Sequence, residues 1–404
     1  MFENAIGLHS LTHQLTDAIR TSTLPPAVLL HGPRYSGKGT LALEMARILT
    51  CREEALWDCP CRSCALHRTL SHPDVVMAGG RYFETEIHAA KRAWEESPRI
   101  GTLYLVIRAA RKVLRRFDQS LWPETRVKKL QDLLASTEET IQALEPAGTG
   151  DKLPKNLSSL FTQMQSILKA MPHEIVPIDV VRNIATWSHV STSGPAKVVI
   201  LEEAHTLPDG ARNSMLKVLE EPPDNVWFIL TTTRRGAIMP TLLSRLRCFA
   251  LPRRTAEEQQ DVMRRVYRHN DDALPPSLDE FFRSVPEANH HRWVALATRI
   301  AAIHQRTPPQ DLANLLAEVR EQLKQGNQRG NSEILLHEIA AQLRRNLPSS
   351  EPVAREVQRK QALLVQSSYN RIVQRNMNPL SVVTDLTLLF NEMESAHSTS
   401  GVGR

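Results

Sequence analysis

The chain has 404 residues, 41% of them hydrophobic, and 50 basic against 44 acidic side chains give a formal net charge of +6. That length points to two to four domains with apolar content enough for several cores, and the mild basic excess favours anionic partners without separating nucleic acid from nucleotide. With no apolar run long enough to span a membrane, and an opening MFENAIGLHS that lacks the basic segment and apolar core of a signal peptide, a cytoplasmic chain with no membrane partner is expected.

The first strand signal, residues 27–30, runs into HGPRYSGKGT, where Gly32, Gly37 and Lys38 satisfy GxxxxGK. Glycines let the backbone wrap a phosphate with its N–H groups, the following helix points its positive end at the anion, and the lysine adds a charge. The position after the lysine, where a hydroxyl normally meets Mg²⁺, is Gly39, and Thr40 follows one residue late. The GKGT form also occurs in small-molecule kinases, so nucleotide binding is expected with altered metal geometry.

Four of the five cysteines come next: Cys51, Cys59, Cys61 and Cys64. In an intracellular chain such a cluster favours a metal, here zinc, over disulfides. Cys59 and Cys61 are separated by one residue instead of the usual two. That gap strains ligation by both sulfurs and leaves His67 and His72 as alternative ligands. Cys248, alone beside Phe249, reads as core.

From about residue 80 to 174 the chain is helical by period. Leu103, Val106, Ile107, Ala110, Val113, Leu114 and Phe117 line one face; Val127, Leu130, Leu134, Ile141 and Leu144 line a second; Leu157, Leu160, Phe161, Met164, Ile167 and Leu168 line a third. A small helical hairpin or bundle grafted on the sheet domain is expected. Arg108, Arg111, Lys112, Arg115 and Arg116 form a basic stripe half a turn from the first apolar face. It reads as a solvated face, with DNA or an acidic partner as the alternative, and no interleaved aromatics favour base stacking.

Strand signals return at residues 198–201, which deliver Glu202 and Glu203 at the carboxyl end, where open α/β sheets place their ligands. A further strand, 226–230, ends in Thr231, Thr232 and Thr233. Paired acids beside a phosphate loop suit a site where one carboxylate helps hold Mg²⁺ and its neighbour polarises water. Beyond residue 253 strand signals stop. A capped helix is expected over 255–269, with breaks at 270–277, 306–310, 325–332 and 347–352 between later helices.

The segments NSMLKVLEEPP, WFIL, TTT and LLSR together resemble the bacterial DNA polymerase III clamp-loader family of the AAA+ class. SHPD at 71–74 and PIDVVRNI at 177–184 are most similar to its delta-prime type of subunit. The resemblance covers residues 6–74, 175–251 and 375–390. It implies an α/β P-loop AAA+ domain with a parallel sheet over 1–250, carrying the cysteines at 51–64 and a helical insertion at about 80–174. An all-α lid over 251–303, an all-α collar over 304–393 and a disordered tail over 394–404 would follow.

Carried over by position, Gly32, Gly37, Lys38 and Thr40, with Gly39 between them, fall on the phosphate loop. Glu202 and Glu203 fall on Walker B, whose first acid is normally Asp. Thr233 falls on sensor 1. Arg245 falls on the Ser-Arg-Cys finger, with Leu246 in the cysteine's place. The sensor 2 pattern Gly-Ser-x-Arg is absent, and Arg292 stands near its expected place. The resemblance implies ATP with Mg²⁺, zinc on the four cysteines, and a hetero-pentameric ring that loads a sliding clamp on primed DNA. In that ring Arg245 would act on a neighbour's ATP and Glu203 on this chain's own; the altered motifs predict slow hydrolysis here. A gamma/tau-type motor subunit is the alternative within the family. A P-loop phosphotransferase is an alternative of another class; it would need an acceptor-binding lid of its own, and TTT, LLSR and the collar would have no role in it. A scaffold with an empty phosphate loop is a third, non-catalytic alternative.

Overall fold

The computed structural model describes residues 1–80, 83–145, 153–154, 156–170, 176–192, 194–269, 274–284, 287–303, 308–324, 328–346, 352–373 and 377–398. The chain divides into two compact units, 1–285 and 286–404. The division falls inside the stretch 251–303 that the sequence assigned to a single lid.

In the first unit, α1 (His9–Arg20), β1 (Ala27–His31), α2 (Lys38–Thr50), α3 (Arg62–Arg68) and β2 (Val75–Gly79) precede the insertion. The insertion holds α4 (Phe83–Glu96), α5 (Ile100–Arg116), α6 (Glu124–Val127), α7 (Gln131–Leu144) and α8 (Ser158–Ala170). Then come α9 (Ile178–His189), β3 (Lys197–Glu202), α10 (Asp209–Glu220), β4 (Val226–Thr232), α11 (Pro240–Leu243), β5 (Arg247–Ala250), α12 (Ala256–Arg265) and α13 (Leu278–Ser284). The strands form one parallel sheet in the order β2-β3-β4-β1-β5. This is the α/β fold that the AAA+ resemblance implies. A parallel sheet must be covered on both faces, which is why β1 and β3 read as unbroken apolar runs. The strands β2 and β5 were not expected from sequence: both are short edge strands, and Arg247 and Ala250 of β5 are exposed.

The insertion is not a graft. Leu103, Val106, Ile107 and Val113 of α5 and Leu160, Met164 and Ile167 of α8 share one continuous core with Ala27, Leu29, Val76 and Ala78 of the sheet. The three expected apolar faces are the ones that pack there. Ile107→Ala should therefore destabilise the whole first unit by about 2 to 5 kcal/mol. Urea unfolding should show the unit melting in one shifted transition; a separate early transition of the insertion, with the sheet unaffected, would contradict the shared core.

The basic stripe departs from its expected solvation. Arg111, Lys112 and Arg116 are buried. Arg111 binds Glu138 at 3.0 and 2.7 Å and Glu145 at 2.7 Å, and Lys112 pairs with Glu86. Periodicity shows which side chains share a face, but not that a second layer of carboxylates and carbonyls will cover it.

After the sheet, Thr255 caps α12 by accepting from the Glu258 N–H at 3.2 Å while Glu258 accepts from the Thr255 N–H at 2.8 Å. The helix ends at Arg265, four residues before the expected end, and Arg268 then takes a positive φ of 54°.

The second unit contains α14 (Glu287–Ala301), α15 (Pro309–Lys324), α16 (Gln328–Asn346), α17 (Pro352–Val373) and α18 (Pro379–Ser398). Trp293, Leu315, Leu335, Ile339, Ile372, Leu386 and Phe390 form its core. The last helix continues past residue 393, where the sequence placed the start of a tail; residues 399–404 lie outside the described residues. Among the described residues no helix is long and apolar enough to cross a membrane.

Candidate functional site

The loop between β1 and α2 bends where glycine is needed. Gly37 has φ +94°, and a Cβ on Gly32 would lie 2.4 Å from the Leu251 carbonyl oxygen. Lys38 opens α2 and its Nζ donates to the Gly32 and Pro33 carbonyls at 2.9 and 2.6 Å. Burial lowers its pKa to about 8, opposed by the carboxylates of Glu203 and Glu202. Gly37, Lys38, Gly39 and Thr40 line a cavity of about 580 Å³ together with Glu202, Glu203 and Thr233. Three segments separated along the chain thus meet in one place. Gly32 does not line the cavity; its N–H donates to the Thr232 carbonyl at 3.2 Å and shapes the loop's entry.

The two glutamates sit differently. Glu202 ends β3 and is buried. Glu203 turns out of the strand with φ 48° and ψ 50°, uncommon for a non-glycine residue. Its Oε2 accepts from Thr233 N–H at 3.2 Å and Thr233 Oγ1 at 2.8 Å, and its own N–H donates to Thr231 Oγ1 at 3.3 Å. His205 Nδ1 lies 3.2 Å from the same carboxylate and 2.9 Å from Thr232 Oγ1. Thr233, just after β4, therefore holds the Glu203 carboxylate, while Thr231 at the end of β4 fixes its backbone; both carboxylate and Thr233 line the cavity. His205 is a partner that sequence reasoning missed.

Arg245 does not line this cavity. It is half-buried between α11 and β5, where its guanidinium pairs with Glu220 of α10 and donates to the Thr241 carbonyl at 2.8 Å. Arg292 belongs to the second unit.

Several cavity residues carried no motif. Arg254 donates to the Tyr35 and Ile6 carbonyls and ties the loop to the N-terminal segment. Arg34, Arg265, Arg268 and Trp57 also face the cavity, as do Glu86, Tyr104, Arg108 and Lys112 of the insertion. In all, seven basic and four acidic side chains line it, a balance that suits a polyanion. For the insertion residues the sequence offers one signal, the basic stripe, and helical period alone cannot tell a solvated stripe from one that lines a cavity.

The four clustered cysteines converge. Their sulfurs all lie within 4.8 Å of one another, with Cys51 Sγ 3.9 Å from Cys59 Sγ and 3.7 Å from Cys61 Sγ. Tetrahedral zinc bonded to sulfur at about 2.3 Å places its ligands about 3.8 Å apart. The donor set therefore fits the metal without a histidine. His67 Nε2 is 2.7 Å from Thr50 Oγ1, and His72 Nε2 is 3.1 Å from Ser63 Oγ. The one-residue gap is accommodated because Cys61 is the extended N-cap of α3, its sulfur accepting from the Cys64 N–H at 3.3 Å. Burial, together with the sulfurs of Cys51 and Cys61, raises the Cys64 thiol pKa. Cys248 is half-buried and packs against the main core.

A family model described as DNA polymerase III, delta subunit, matches residues 7–109 and 128–255, more than half of the chain. The chain belongs to this family. The DNA polymerase III subunit delta' of Escherichia coli (strain K12) is 32% identical over 145 residues, 35% of this chain and 43% of that protein. The delta' subunit of Yersinia pestis is 40% identical over 76 residues, 18% and 22% of the two chains. The tau subunit of Bacillus subtilis (strain 168) is 46% identical over 61 residues, 15% and 11% of the two chains. The chain spans less than half the length of the relatives it matches. The phosphate loop, the cysteines, the paired glutamates and Arg245 all fall within the family match, whereas the end of α5 falls in its gap.

Proposed function

We propose that this chain is a clamp-loader subunit of DNA polymerase III, of the delta-prime type, working in a hetero-pentameric ring that places a sliding clamp on primed DNA. The observation that carries the reading is an asymmetry. The phosphate loop, the glutamates and Thr233 line one cavity, and Arg245 lies outside it, paired with Glu220, which supports a role toward the ATP of a neighbour. ATP is the ligand for the cavity: backbone N–H groups at the start of α2 and Lys38 would hold its phosphates. Glu202 would help hold Mg²⁺, which supplies charge neutralisation at the phosphates when bound, and Glu203 would orient a water. Zinc on the four cysteines would tie the 51–64 loop to the sheet domain. Leu363, Leu388 and Leu389 are exposed on α17 and α18, in keeping with a collar that other subunits cover.

A nucleotide titration of the purified chain, with and without Mg²⁺, tests the reading. ATP should bind, Lys38→Ala should abolish binding, and turnover by the isolated chain should be slow. Absence of binding by the wild type would leave only a scaffold. The pH dependence has a definite sign. Bound phosphate favours the Lys38 ammonium, whose pKa in the free protein is about 8. Above that pH binding must take up a proton, so affinity should fall by up to about tenfold per pH unit. A flat affinity between pH 7 and 10 would mean that Lys38 does not meet the anion.

The second reading, a gamma/tau-type motor, is favoured by the match to the B. subtilis tau subunit. Fast turnover by the isolated chain, lost in Lys38→Ala, would select it.

A further inference from the structure

The insertion contributes a wall to the nucleotide cavity. Tyr104, Arg108 and Lys112 stand one turn apart along α5 and line the cavity with Glu86 of α4. Arg116 continues the row; it is buried, and the carboxylate of Glu202 at the end of β3 acts on it electrostatically. Tyr104, Arg108 and Lys112 thus share one cavity with Lys38, Glu202 and Glu203.

The two cations in the middle of the row are held in place. Lys112 is 8% exposed and pairs with Glu86. An ammonium carries three donors, so it can hold that carboxylate and an anionic oxygen together. Arg108 is fixed from behind: its Nη1 donates to the His67 and Arg68 carbonyls at 2.7 and 3.3 Å, and its guanidinium lies 5.7 Å from the centre of the Trp57 ring. The helix itself is anchored at two further turns. Arg111 donates to the Thr69 carbonyl at 3.2 Å, and Arg115 donates to the Leu70 and His72 carbonyls at 3.1 and 3.2 Å. These carbonyls lie at and just beyond the C-terminal end of α3, where a helix attracts cations.

We propose that α5 is part of the nucleotide site, with Arg108 and Lys112 contacting the phosphates of a bound nucleoside triphosphate. They supply cationic contacts in a chain that lacks the Gly-Ser-x-Arg pattern. The proposal rests on the nucleotide-binding reading above.

Calorimetric titration of the full chain with ATP and with ADP tests it. Lys112→Met combined with Glu86→Gln removes the cation without stranding its carboxylate, and should weaken ATP binding by about tenfold or more. Lys112→Arg, which keeps the positive charge, should retain most of the affinity. Glu86→Gln alone, which removes the ion pair but keeps the cation, should leave ATP binding largely intact, which a purely structural role for the pair would not allow. If the double variant does not fold, hydrogen exchange on the wild type decides. Exchange across residues 104–112 should slow on saturation with ATP, and unchanged exchange overturns the proposal. Wild-type protein that binds no nucleotide overturns the nucleotide reading itself. Wild-type binding together with an unaffected double variant overturns only the role of α5.

Discussion

Arg245→Ala is expected to leave nucleotide binding by this chain unchanged while lowering ATP turnover at one neighbouring site of the assembled ring by about a thousandfold. The first half follows from position: Arg245 does not line the cavity around the phosphate loop. The second follows from chemistry. A guanidinium offers a planar fork of donors that suits the charge spread over a transferring phosphoryl group, and losing a threefold power of ten in rate corresponds to about 4 kcal/mol of transition-state stabilisation. Glu220 holds the side chain at the surface between α10 and β5. An exposed pair of this kind is worth little to stability, so the variant should fold and assemble normally. In the proposed ring only one site would meet this finger, so whole-complex ATPase should fall in part. Arg245→Lys should rescue poorly, because an ammonium keeps the charge and loses the fork. Reconstituted complex with wild-type or variant chain, measured with clamp and primed DNA, gives the answer. Undiminished ATPase in a fully assembled variant ring would reduce Arg245 to the partner of Glu220.

What the sequence made legible follows from the range of the signals involved. The phosphate loop, β1, β3 and β4 were readable because their signals are local: an apolar run, a glycine turn, a lysine at a fixed offset. The cysteines were legible as a cluster, which the fold brings together, but which side chains share it was not. Spacing suggested strain at Cys59 and Cys61, whereas the extended N-cap at Cys61 removes it. The insertion shows the opposite case. Its apolar faces were correct to the residue, yet the stripe from Arg108 to Arg116 was assigned to solvent. Helical period places side chains around an axis and is silent about what lies opposite. Apart from Asp118, a local partner of Arg115, the stripe meets Glu86, Glu138, Glu145 and carbonyls of residues 67–72, which are remote in sequence or carried by the main chain. Likewise Trp57 and Arg254 joined the cavity through tertiary packing alone.

Cys64→Ser should cost the protein its zinc and destabilise the first unit by several kcal/mol, part of the roughly 10 to 16 kcal/mol by which structural zinc stabilises small metal-dependent folds. Protein purified without chelator should carry one zinc per chain by elemental analysis. The loss in the variant should be smaller than for an isolated zinc module, because α3 does not depend on metal alone. Arg108, Arg111 and Arg115 bind the carbonyls that follow it, and Arg47 binds the Ala55 and Leu56 carbonyls inside the loop. Acid should act in the same direction as the substitution, since ligation needs thiolates and each sulfur must regain a proton to leave. Chelation should raise hydrogen exchange at residues 51–72 before it reaches the sheet, and the thermal midpoint should drop in step with metal content. Protein without stoichiometric zinc, or a midpoint indifferent to chelator, would leave four thiols packed at ligand spacing by the arginines around them and would remove the metal from this fold.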